Sequence, residues 1–178
     1  MDETGESVEI VREPEALMFR PDLEVQTIVD VPLQALWQRG LRGIIIDLDN
    51  TVCGFGQTDP APGVRGWIAA AKTQGFELAM VSNNFPERVA AMSATLGVPA
   101  VPNALKPLPG GFLAALRMLG TPRNKTVVIG DQLFTDVLGA KLLGLHAVLT
   151  QPLLPKDFPL TRVLRMMERV FFSRAPRT

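Results

Sequence analysis

Two carboxylates, Asp47 and Asp49, stand two residues apart where the apolar run 43–46 ends, and the Thr51 hydroxyl follows them. A carboxylate at the end of a buried run is costly unless another group balances its charge. A metal ion or a phosphate-handling site would do so. Similar residues follow other apolar runs: Ser82 and Asn83 after 76–81, Lys106 beyond 98–101, and Asp131 after 126–129, with Asp136 a little further on. Carboxylates gathered in one place repel unless a divalent cation sits among them. Mg²⁺ takes about six oxygen ligands and keeps several waters, so two or three carboxylates suffice. One carboxylate can then attack phosphorus. A second can protonate the leaving oxygen and later activate water. A lysine with hydroxyl or amide donors can hold the phosphoryl oxygens.

These residues converge only if the chain builds the right frame. Gly43-Ile44-Ile45-Ile46 reads as a strand buried on both faces. Further strands are predicted over 76–81, 98–101, 126–129 and 146–149. Val64, Trp67, Ile68 and Ala71 fall at i, i+3, i+4 and i+7, a helix ended by Gly75. Pro86 opens a helix to Leu96 that Gly97 closes. Phe112, Leu113, Leu116 and Leu119 form another, and a last one starts near Asp136 and runs to Leu143. Ahead of the first strand, 25–31 reads as a short strand or extended arm. There Asp30 is placed as the N-cap and Pro32 as the first residue of a short helix that Gly40 stops. Strands alternating with helices of about ten residues predict βαβ units. The expected fold is α/β and Rossmann-like: a parallel sheet of about five strands, order 5-4-1-2-3, with helices on both faces. In such sheets ligands bind outside the strand carboxyl ends.

The 178 residues suit one domain with a full core, and 47% are hydrophobic. Eighteen basic and 18 acidic residues cancel, which argues against a nucleic acid partner. One cysteine excludes an internal disulfide and fits a cytoplasmic location. No apolar run approaches the roughly 20 residues of a spanning helix. Residues 1–15 carry Asp2, Glu3, Glu6, Glu9, Glu13 and Glu15 against Arg12, and are expected to be disordered. The single domain is expected over 16–178, with its core at 41–150. Leu160, Val163, Leu164, Met167 and Phe171 put an apolar face on a C-terminal helix at about 159–173, with Arg162, Arg165 and Arg169 elsewhere around it. Such a helix packs on its own domain or lies on an anionic membrane surface, here the inner membrane face.

Asp47-Leu48-Asp49-Asn50-Thr51 resembles the DxDxT motif of the haloacid dehalogenase (HAD) phosphatase superfamily. Ser82 resembles its second motif, Lys106 the lysine of its third, and Gly130-Asp131-Gln132-Leu133-Phe134-Thr135-Asp136 its GDxxxTD fourth. The four occur in order across 41–150. The resemblance implies Asp47 as nucleophile and metal ligand. It implies Asp49 as general acid/base, lending a backbone carbonyl to the metal. Asp131 would complete an Mg²⁺ site and Asp136 would orient the metal's waters or Lys106. Thr51, Ser82 and Lys106 would steady the nucleophile and the phosphoryl group, and Asn83, beside Ser82, is a further candidate phosphate contact. The loop 53–63 is too short for an inserted cap, and 84–106 has room for one helix and one strand. The chain therefore resembles capless members, which take bulky substrates, and within them the YqeG-type branch of subclass IIIA. That branch includes the mitochondrial phosphatidylglycerophosphatase, so the implied substrate is a phosphorylated lipid head group or another bulky phosphate ester. The alternatives are a phosphatase of phosphoproteins or nucleic acid ends, and a non-catalytic module that keeps the pocket for recognition.

Plainer roles compete at several positions. Asp136 also suits a helix N-terminus, and Asn83 and Asn84 also suit local backbone bonds. An EF-hand reading of the acidic stretch fails because Thr58 stands where the closing glutamate belongs. Cys53 invites a cysteine phosphatase reading, but Asp59 occupies the place of that motif's arginine, so the thiol reads as a small apolar filler. His146 reads as structural.

Overall fold

The computed structural model describes residues 18–154. The acidic segment 1–15 and the helix expected at about 159–173 lie outside the described residues.

Ile44, Ile45 and Ile46 are fully buried because the strand they form, β2 (Gly43–Ile46), has a packed layer on each side. Alternate side chains of a strand point to opposite faces. Ile44 and Ile46 accordingly join one apolar cluster with Leu78, Met80, Val127 and Ile129, while Ile45 joins a second with Ala79, Val81 and Val128. The first cluster takes in the buried faces of α1 (Leu33–Gln38), α2 (Val64–Gln74) and α3 (Pro86–Leu96). The second takes in those of α4 (Pro109–Leu119) and α5 (Leu138–Leu142).

The remaining strands are β1 (Leu23–Val25), β3 (Glu77–Val81), β4 (Ala100–Val101), β5 (Thr126–Gly130) and β6 (His146–Thr150). Every pairing is parallel, in the order β1-β6-β5-β2-β3-β4. The five core strands take the expected order, and the sheet is six-stranded rather than five because β1 adds itself beside β6. The segment expected as one extended piece over 25–31 is divided. Thr27 donates through both its N–H and its hydroxyl to Asp30 Oδ2, at 2.9 and 2.7 Å, which folds Ile28–Asp30 into a 3₁₀ turn. Asp30 is thus spent on that turn and is not the cap of α1, whose N-cap is Pro32. Trp67 then fastens the lead-in to α2 by donating from Nε1 to Val31 O at 3.1 Å. The helix expected from Asp136 begins earlier, as a π-helical turn over Leu133–Val137 that runs directly into α5. No cap is inserted among the described residues: a loop joins β2 to α2, and only α3 and β4 separate β3 from Lys106. No described helix is long and apolar enough to cross a membrane.

Candidate active site

Past Ile46 the chain leaves the sheet under tight control. Asp47 still donates its N–H to Ile129 O at 2.9 Å, so the first carboxylate is seated on β5 as well as β2. Asn50 turns the loop with a φ of 62°, a left-handed conformation that asparagine tolerates better than most residues. Its N–H donates to Cys53 O at 2.7 Å and its Oδ1 accepts from Phe55 N–H at 3.2 Å. Thr51 is buried, and its hydroxyl has no hydrogen-bond partner.

Lys106 arrives from the far side of the sheet. The loop that carries it contains two further left-handed residues, Asn103 (φ 46°) and Leu105 (φ 54°). Backbone strain of this kind persists only where surrounding contacts enforce it. Asn83 supplies such contacts: its Oδ1 accepts from Lys106 N–H at 2.7 Å and its Nδ2 donates to Lys106 O at 3.2 Å. The Asn83 amide therefore clamps the lysine's backbone. The Lys106 ammonium, on a residue only 3% exposed, donates to Asp47 Oδ1 and to Asp136 Oδ1, the latter at 2.7 Å. Asp136 is steadied by Gln132 N–H, which donates to its Oδ2 at 3.1 Å. Gly130 leaves the room: a Cβ there would overlap the Asp136 carboxyl.

Asp47, Asp131 and Asp136 are all buried and can each offer a carboxylate oxygen within 4.8 Å of the others. Three carboxylates thus face one ammonium. Burial raises the Asp47 carboxyl above its ordinary range, Lys106 opposes that rise, and the charges of Asp136 and Asp131 add to it. Burial pulls Lys106 down, but Asp136 and Asp47 more than reverse this and hold it above its ordinary value. The surplus negative charge is what a divalent cation would neutralise. An all-oxygen donor set fits a hard ion such as Mg²⁺.

Asp49 points elsewhere. Its Oδ1 accepts from Arg88 Nη2 at 2.8 Å and its Oδ2 from Asn84 Nδ2 at 3.0 Å. Asn84 in turn donates its N–H to Ser82 Oγ at 3.1 Å. Ser82 lies just past the end of β3 and is buried. Arg88 has no place among the residues singled out from the sequence, where Asn84 is read as either a phosphate contact or a local backbone partner. Asn84 lies just ahead of α3 and Arg88 in its first turn, and both reach a carboxylate on another loop. Burial pushes the Cys53 thiol up to about 11, against the pull of Arg88, so it stays protonated near neutrality and is a poor nucleophile. His146 lies at the start of β6, at the opposite end of the sheet, 3.6 Å from Asp22.

An aspartate loop, a lysine and two more aspartates, all at the carboxyl ends of parallel strands, define a hydrolase of the haloacid dehalogenase class. The profile of the haloacid dehalogenase-like hydrolases matches residues 47–144, and the chain belongs to that family. It is 37% identical over 155 residues to a Bacillus subtilis protein named "Probable phosphatase YqeG", covering 87% of this chain and 90% of the relative. It is 24% identical over 164 residues to phosphatidylglycerophosphate phosphatase 1 of Arabidopsis thaliana, covering 86% of this chain but only 47% of that longer protein. Among solved structures, a Bacillus subtilis protein titled "putative HAD-hydrolase YfnB", bound to magnesium, superposes with a TM-score of 0.55 at 14% identity. That match covers 67% of this chain and 90% of the other, and supports the fold.

Proposed function

We propose that the chain is an Mg²⁺-dependent phosphatase that works through a phosphorylated Asp47. The observation that carries this reading is the meeting of Asp47, Lys106, Asp131 and Asp136 in one buried cluster. An Asp47 oxygen attacks phosphorus, and the bond from phosphorus to the ester oxygen breaks. Asp49 delivers a proton to the departing oxygen. In the second half, Asp49 takes a proton from water, the water oxygen attacks phosphorus, and the Asp47–phosphorus bond breaks to release inorganic phosphate. Lys106 holds Asp47 in line and offers positive charge to the phosphoryl oxygens. Thr51 Oγ1 is free to donate to the same group, and the Ser82 hydroxyl lies at the same end of the sheet. Asp47, Asp131 and Asp136, with the Asp49 carbonyl, would hold the metal, which supplies charge neutralisation for the phosphoryl group.

The substrate we assign is a bulky phosphate monoester of the phosphatidylglycerophosphate kind. The lack of an inserted cap among the described residues supports this reading, as does the name of the Arabidopsis relative. Hydrolysis of an aryl phosphate tests the chemistry. Wild type should require Mg²⁺, and Asp47→Asn should lose roughly a thousandfold or more in rate. Equal rates for the two proteins would end the assignment of Asp47. A panel of phosphorylated lipids, sugars, nucleotides and peptides then ranks substrates.

A further inference from the structure

Large apolar side chains are not spread evenly over the surface. Among the described residues, six of the eleven exposed ones lie in segments that leave the carboxyl ends of β2, β3, β4 and β5, where the crevice opens. Phe55 follows β2, Phe85 follows β3, Leu105 and Leu108 follow β4, and Leu133 and Phe134 follow β5. Phe85 is the extreme case at 73% exposure, and Leu105 and Phe55 stand at 45% and 42%. Each adjoins a site residue. Phe55 bonds to Asn50, Phe85 follows Asn84, and Leu105 precedes Lys106. Isolated exposed apolar residues mean little, but a ring of them around a polar crevice marks a contact surface.

The exposed charges in and beside these loops are few and acidic: Asp59 after Phe55, and Glu87 after Phe85. Residues 53–58 and 83–86 contain no Asp, Glu, Lys or Arg. In 102–110 and 130–135 the charged residues are Lys106 and Asp131, and both are buried. The crevice is therefore charged within, and its mouth is apolar with acidic residues alone exposed beside it. An acidic peptide or a nucleic acid would find no complementary charge on such a rim. An amphiphile would, since its phosphate enters the crevice while its apolar body stays at the mouth.

The geometry points to this rim as the surface that seats the enzyme on a lipid bilayer, with Phe55 and Phe85 inserted at the boundary between headgroups and acyl chains. This rests on the phosphatase reading above and adds how the substrate is met: in the membrane plane, without extraction. Binding of this kind scales with buried apolar area and is little affected by salt.

The test uses the full-length chain and the double variant Phe55→Ser/Phe85→Ser. Phosphatidylcholine vesicles with about one tenth phosphatidylglycerophosphate are sedimented in a chelator, so that no turnover is needed. Wild type should co-sediment, with little loss in high salt, and the variant's partition should fall about fivefold or more. Equal partition of the two proteins, or no binding by either, overturns the proposal. So does a rim-dependent dimer in gel filtration that fails to bind vesicles, since the occupant is then a second copy. The ratio of rates on vesicle-borne and on short-chain, water-soluble phosphatidylglycerophosphate is the second readout. It should drop about tenfold in the variant. If wild type hydrolyses neither form, the phosphatase reading fails, and sedimentation still decides the rim.

Discussion

Asp49 illustrates how much a single side chain owes to its neighbours. Its position in DxDxT is plain from the sequence. What holds it is not, because Arg88 and Asn84 lie 39 and 35 residues away and act only through the folded chain. Arg88 sits beside Glu87 in the first turn of a helix and reads locally as a solvated surface residue. The aspartates and Lys106 were legible for the opposite reason: each interrupts or follows an apolar run where a charge is expensive. If Arg88 aims the proposed acid/base, Arg88→Met should lower kcat by about 10- to 100-fold with KM nearly unchanged. Arg88→Lys should recover part of the loss, whereas Asp49→Asn should cost about 10²–10⁴-fold. A uniform rise in KM, with no recovery by lysine, would assign Arg88 to substrate binding.

Long buried strands announce themselves, and short or edge elements do not. β2, β3 and β5 each pack on both faces and carry unbroken apolar runs. β1 has three residues and no periodicity, and only its pairing with β6 makes it a strand. The π-helical turn after β5 likewise has no local signature. It places Asp136 over Gly130, so that the aspartate reaches Lys106. Gly130→Ala should therefore disturb two properties together. A methyl group would press on a carboxyl that its ion pair with Lys106 prevents from swinging away. Urea unfolding should show a loss of about 1–3 kcal/mol, and phosphatase activity should fall more than that loss of folded protein explains.

Across the whole molecule, the two ends of the sheet behave differently with pH. At the amino ends of the strands, partial burial opposes ionisation of Asp22. The Lys141 ammonium at 2.7 Å, the Ala147 N–H and the nearby His146 outweigh it and hold the carboxyl below its usual range. A lowered folded pKa gives stability that is present above the unfolded value of about 3.9 and disappears as pH falls through the folded one. Asp22→Asn should thus lower Tm at pH 7, by less than about 1 kcal/mol in stability because the pair is partly exposed. The gap to wild type should close below about pH 4. A gap unchanged in acid would show that the charge on Asp22 is immaterial. At the carboxyl ends, the contacts that make the site bridge long stretches of chain: Lys106 meets Asp47 across 59 residues and Asp136 across 30. Loops of that length close late and at an entropic cost. Neither half of the polypeptide holds the whole site: Asp47 and Asp49 lie in the first half, and Lys106, Asp131 and Asp136 in the second. Regain of activity during refolding would then time the arrival of the last strands, making the enzyme a reporter of its own completion.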